Sequence, residues 1–192
     1  MNYLVHLYLS DPDPECLLGT LMGDFVKGPI DNSIPAGFRK GIRHHRQVDV
    51  FAHDNHHFRR SKKRIADSFR YFKPVLVDIY YDHFLARNWS LYSPAPLEDF
   101  ASGIYLLLKE HHHNLPAGLR EVAPRMIQND WLVSYREEET IGRVFERMAR
   151  RLSRPNPLAG GAAELKHHYD DLQLDFQGFL KEAKDFVAKL PR

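Results

Sequence analysis

Leu165-Lys166-His167-His168-Tyr169-Asp170-Asp171-Leu172-Gln173-Leu174-Asp175-Phe176-Gln177-Gly178-Phe179-Leu180-Lys181-Glu182-Ala183-Lys184-Asp185-Phe186-Val187-Ala188-Lys189-Leu190 decides the fold class. Leu165, Tyr169, Leu172, Phe176, Phe179, Ala183, Phe186 and Leu190 step by four and three without a break, the spacing of one helical face. The pattern predicts one helix over residues 159–190 whose apolar stripe packs inward. Working outward from it, most of the chain repeats the same period. Asp13-Pro14-Glu15 offers an N-cap and a proline at the first helical position, and Leu17, Leu18, Leu21, Met22 and Phe25 follow at helical spacing until Gly28-Pro29. Further helices are predicted over residues 36–52, 58–71, 75–89, 97–114, 119–129 and 138–152, with Pro74, Ser93-Pro94-Ala95-Pro96, Pro116 and Arg154-Pro155-Asn156-Pro157 as punctuation. Only residues 3–9 have strand-like composition, and one strand makes no sheet. The expectation is an all-α protein, one compact multi-helix domain over residues 1–192.

Composition narrows the class. The 192 residues are 43% hydrophobic and 27% charged, which argues against disorder. No apolar run approaches the ~20 residues that span a bilayer, so no membrane segment is expected. The opening Met1-Asn2-Tyr3-Leu4-Val5-His6 lacks the basic stretch of a secretory signal, and a lone Cys16 forms no internal disulfide. A cytoplasmic protein is therefore expected. The net charge of +2 is too mild to imply nucleic acid as a partner.

The twelve histidines are the unusual entry in this composition. Acids and imidazoles fall on the apolar stripes of several predicted helices. Asp24 follows Leu17 by seven and Leu21 by three. His45 and Asp49 form an i,i+4 pair on the face of Ile42 and Ala52. His83 shares a stripe with Ile79 and Ala86, flanked by Asp82, with Asp78 one turn earlier; His168 sits between Leu165 and Leu172, and His6 inside the apolar opening run. Any one of these is more often a hydrogen-bonded core group than a ligand. Several together are costly to bury unless something compensates them, and a divalent ion does so. With oxygen and nitrogen donors, Asp24, His45, Asp49, Asp82 and His83 favour manganese, magnesium or iron over structural zinc. His111-His112-His113 reads as a solvated helix end, and His56, His57 and His167 as surface residues. The basic run Arg59, Arg60, Lys62, Lys63 and Arg64, with Arg39, Lys40, Arg43 and Arg46 before it, is either a solvated face or a platform for an acidic partner.

Asn2-Tyr3-Leu4-Val5-His6-Leu7, Gly23-Asp24-Phe25-Val26-Lys27-Gly28, Gly41-Ile42-Arg43-His44-His45-Arg46-Gln47-Val48-Asp49, Tyr81-Asp82-His83-Phe84-Leu85-Ala86, Asp130-Trp131-Leu132 and His168-Tyr169 resemble the acyl carrier protein phosphodiesterase family. The resemblance runs almost end to end. It implies an all-helical enzyme distantly related to the HD phosphohydrolases, which removes 4′-phosphopantetheine from holo-acyl carrier protein with a divalent metal, usually manganese. It carries metal binding onto Asp24, His45, Asp49, Asp82 and His83, with Arg46 near the reacting phosphate and His6 or His168 orienting ligands or moving a proton. The acidic carrier protein gives the basic run a purpose. Two positions depart from the family pattern: Thr20 stands where Asn is expected after Gly19, and His53, followed by Asp54, stands where an acid is expected. The alternatives are an HD-type nucleotide phosphohydrolase and a non-catalytic helical adaptor for an acidic partner.

Overall fold

The computed structural model describes residues 3–190. Among them there is no strand, and the helices are α1 (Tyr3–Leu9), α2 (Pro14–Met22), α3 (Ala36–Asp54), α4 (His56–Arg64), α5 (Lys73–Arg87), α6 (Leu97–Glu110), α7 (Ala117–Gln128), α8 (Trp131–Ser134), α9 (Glu138–Arg151), α10 (Gly161–His167) and α11 (Tyr169–Val187). They enclose one apolar core with Tyr80, Tyr81, Phe38, Phe84, Phe145, Phe176 and Phe179 at its centre. Among the described residues, no helix is long and apolar enough to cross a membrane.

Local chemistry explains most of the boundaries. The Asp13 carboxylate caps α2 by accepting from the Cys16 N–H. The α4 cap is Asn55, whose side-chain oxygen accepts from the N–H groups of His57 and Phe58. Pro74 opens α5 from its first turn. The tightest helix pair, α2 with α3, depends on two glycines: a Cβ at Gly19 would run into the Phe38 backbone, and one at Gly41 into the Cys16 carbonyl.

Three sequence expectations are corrected. Residues 3–9 form a helix, because their surroundings bury them on nearly every side and a distant carboxylate, described below, caps their first turn. The helix expected over 58–71 is shorter: Ile65 leaves helical geometry, and a 3-10 turn over Asp67–Phe72 follows. The long last helix is broken at His168 (φ −116°, ψ 21°), so α10 and α11 are separate while Leu165, Leu172, Phe176, Phe179 and Ala183 keep one buried stripe across the break.

Candidate functional site

Two helices and one turn converge on a cluster of imidazoles and carboxylates. His6 comes from α1, His45 and Asp49 from α3, and Asp24 from the turn that follows α2. Asp49 accepts from both histidines: Oδ1 lies 3.1 Å from His6 Nε2, and Oδ2 lies 3.2 Å from His45 Nε2. Asp24 Oδ1 approaches His45 Nε2 from another direction at 3.7 Å. The His45 ring fits because residue 23 is glycine; a Cβ there would occupy the imidazole's position. Donor atoms of His6, His45 and Asp49 all lie within 4.8 Å of one another. The histidines are buried, whereas the Asp49 side chain is 58% exposed and opens the cluster to solvent.

The charges are strongly interdependent. Burial alone would lower the His45 pKa, but hydrogen bonds and charge from Asp24 and Asp49 outweigh it and raise it to about 9. Burial lowers His6, and the neighbouring His45 adds to this against the pull of Asp49. Burial would raise both Asp49 and Asp24, yet His45, joined at Asp49 by His6, holds each below the usual carboxylate range. Asp78 of α5 joins the same electrostatic group: burial raises its pKa, Asp49 raises it further, and His6 opposes.

The donor set fits a divalent ion. Two imidazoles and the Asp49 carboxylate, from α1 and α3, bring donor atoms within 4.8 Å of one another, and Asp24, beside His45, has Oδ2 buried without a hydrogen-bond partner among the described residues. Nitrogen and oxygen donors with a solvent-open side suit manganese, iron or magnesium.

Asp82 and His83 do not join this cluster, contrary to the sequence expectation. Both oxygens of the fully buried Asp82 are occupied, accepting from the Leu4 N–H at 3.0 Å and the Val5 N–H at 2.8 Å. Asp82 therefore caps α1, the helix that carries His6. Burial pushes its carboxyl up to about 7 against the pull of those two N–H groups. His83 has both ring nitrogens engaged, Nδ1 with the Tyr135 carbonyl at 2.8 Å and Nε2 with the Tyr169 hydroxyl at 2.9 Å. His168 lies at the α10–α11 junction with its ring against His167 and is not among the residues gathered with His6, His45 and Asp49. The Arg46 guanidinium donates to the Val26 carbonyl at 2.7 Å, bracing the turn that presents Asp24.

The basic run divides. Arg60 and Arg64 both donate to Asp175, a carboxylate buried in α11, and Arg64 also meets Asp171 at 2.8 Å. Lys62 lies over the Phe58 ring. Arg59 and Lys63 are exposed.

A family model described as acyl carrier protein phosphodiesterase matches residues 1–183. The chain belongs to this family. Relatives named acyl carrier protein phosphodiesterase include one from Photorhabdus laumondii, 32% identical with 98% of each chain covered, and one from Pectobacterium atrosepticum, 30% identical with 93% of each covered. A third, from Escherichia coli strain K12, is 32% identical over 93% of each chain. No solved structure matches the chain.

Within this member of the acyl carrier protein phosphodiesterase family, the departures from the expected pattern fall outside the cluster. Thr20 Oγ1 sits 2.9 Å from the Ser10 hydroxyl and 3.4 Å from the Gly41 carbonyl, joining α2, α3 and the end of α1. His53 and Asp54 are exposed at the end of α3. From its sequence position His6 has only a supporting part, and Asp78 stands out only as a neighbour of the Asp82 stripe. The available signal was a polar residue inside an apolar run for His6, and a position one turn before Asp82 for Asp78.

Proposed function

We propose that this protein hydrolyses the phosphodiester joining 4′-phosphopantetheine to a serine of holo-acyl carrier protein, using a divalent metal held by His6, Asp24, His45 and Asp49. The observation that carries the reading is the single Asp49 carboxylate engaging two stacked imidazoles, with Asp24 opposite, in a member of a phosphodiesterase family. Manganese is the expected ion, and magnesium or iron suit the same donors. When bound, the ion supplies Lewis-acid stabilisation of phosphate charge and a hydroxide near neutral pH.

The chain's own residues prepare the locus. Asp49 contacts both rings at Nε2, so the donor atoms of His6, His45 and Asp49 are already gathered at one place. Asp82, by capping α1, keeps His6 over His45. Arg46 positions the Asp24 turn through Val26 rather than reaching for phosphate itself. His45 holds a proton between two carboxylates until a cation replaces it. Exposed Arg59 and Lys63 form the part of the basic run left to meet an acidic carrier protein. A cytoplasmic location belongs to the same reading, in keeping with the lone, buried Cys16.

Incubation of holo-acyl carrier protein with the protein and manganese, read by mass spectrometry, tests this. The expected result is a mass loss equal to the prosthetic group. An unchanged carrier protein alongside hydrolysis of nucleotides would replace the reading with that of an HD-type nucleotide phosphohydrolase.

A further inference from the structure

Where α4 begins, His56 and His57 converge on Glu182 of α11. His56 Nδ1 lies 3.7 Å from Glu182 Oε2, and His57 Nε2 lies 3.7 Å from Oε1. These separations are too long for hydrogen bonds. They are close to the ~3.4 Å between donor atoms of a tetrahedral site with bonds of about 2.0–2.1 Å. All three donors lie within 4.8 Å of one another, and the two rings are tilted by 38° with centroids 3.9 Å apart.

The surroundings hold this arrangement in place. Asn55 is buried, accepts from the His57 and Phe58 N–H groups through Oδ1, and donates through Nδ2 to Glu182 Oε2 at 2.7 Å. One side chain thus fixes both the backbone bearing the imidazoles and the carboxylate facing them, the supporting role that outer-shell groups play around bound metals. The His57 ring lies against α11 where residue 178 is glycine; a Cβ there would overlap the imidazole. Arg60 Nη2 touches His57 Nδ1 at 3.2 Å, but its Nε is held by Asp175, so it can yield that contact without losing its anchor. Asn55 follows the last residue of α3 and lies six positions beyond Asp49, about 9 Å at helical rise, which separates this locus from the His6–His45–Asp49 cluster.

We propose that His56, His57 and Glu182 form a second divalent-cation site, selective for zinc-type ions, that staples the start of α4 to α11. Two imidazoles and one carboxylate, with solvent free to supply a fourth donor, match the ligand types of open zinc sites and disfavour magnesium and calcium, which prefer oxygen. The proposal is independent of the reaction assigned above.

The test is titration of the full-length, metal-free protein with Co2+ and then Zn2+, following visible absorption and calorimetric stoichiometry, with circular dichroism as the fold check. The wild type should bind one more equivalent of zinc than His57→Gln or Glu182→Gln, and Asp49→Asn should retain that equivalent. Gly178→Ala leaves every donor in the chain but displaces the His57 ring, and should weaken this equivalent about tenfold or more. Wild-type stoichiometry and affinity in both His57→Gln and Glu182→Gln would overturn the site, as would loss of the equivalent in Asp49→Asn.

Discussion

His6 lies face to face with His45, ring centroids 3.9 Å apart and planes 12° from parallel, and both Nε2 atoms meet the carboxylate of Asp49. Two imidazolium ions at that distance would repel strongly, so the pair divides its proton unequally. His45, between Asp49 and Asp24, is raised to about 9 despite its burial, and buried His6 is lowered.

Removing the shared charge should therefore move His45. In Asp49→Asn, His45 should titrate well below 9, toward the ordinary value near 6.5, as followed by histidine ring signals in NMR. A His45 that still titrates near 9 would assign its protonation to Asp24 alone.

Metal affinity should depend on pH with a defined sign. A cation and a proton compete for His45, and the proton is bound below about 9. Manganese affinity should rise with pH up to about 9, and binding near neutral pH should release a proton, measurable by calorimetry in buffers of different ionisation enthalpy. Affinity that is flat from pH 6.5 to 9 would remove His45 from the ligand set.

Asp82 acts on the site only through α1. Asn at this position keeps one acceptor but sets an NH2 group against a backbone N–H, leaving a buried donor unpaired. Asp82→Asn should cost about 1–3 kcal/mol of stability and lower activity by loosening His6. Increased exchange of the α1 amides should accompany both effects. Wild-type stability with an abolished metal site would instead make Asp82 a direct ligand.

The elements that sequence made legible are those whose cause is local. Asp13 and Pro14 announce α2, and the stripe from Leu172 to Ala183 announces α11, because caps and periodicity are written in neighbouring residues. The His45–Asp49 pair was readable for the same reason: both lie one turn apart on one helix. What stayed hidden depends on distant partners. Residues 3–9 look like a strand until Asp82, 77 and 78 positions away, supplies the cap for Leu4 and Val5. Asp82 and His83 share the burial of His6 and His45, and only the positions of Leu4, Val5, Tyr135 and Tyr169 show that their polar atoms are already used. The break at His168 is silent because the apolar steps on either side stay in phase.

The α11 stripe carries a stability prediction. Phe176 is fully buried, with ring centroids of Tyr81, Phe84 and Tyr92 within 5.4–6.0 Å. Phe176→Ala should cost about 3–5 kcal/mol in denaturant unfolding. A loss below about 1 kcal/mol would mean that the neighbouring rings collapse into the space.

The basic run should separate into two phenotypes. Arg64 is one-quarter exposed and meets both Asp175 and Asp171, while Asp175 is fully buried and is further held by Arg60 and Ser61. Arg64→Met weakens the compensation of a buried carboxylate and should cost about 1–3 kcal/mol of stability. Arg59 and Lys63 are exposed, and changing them should leave stability within about 0.5 kcal/mol. If they meet the carrier protein, Arg59→Glu/Lys63→Glu should raise KM for holo-acyl carrier protein and leave kcat nearly unchanged, because such contacts are equal in substrate and transition state. Wild-type KM should also rise with salt, since exposed charges are screened over ~8 Å at physiological ionic strength. The double variant should lose most of that salt dependence, and small 4′-phosphopantetheine esters should respond to neither change. Kinetics of the double variant that match wild type across the salt series would show that this face is solvated and takes no part in docking.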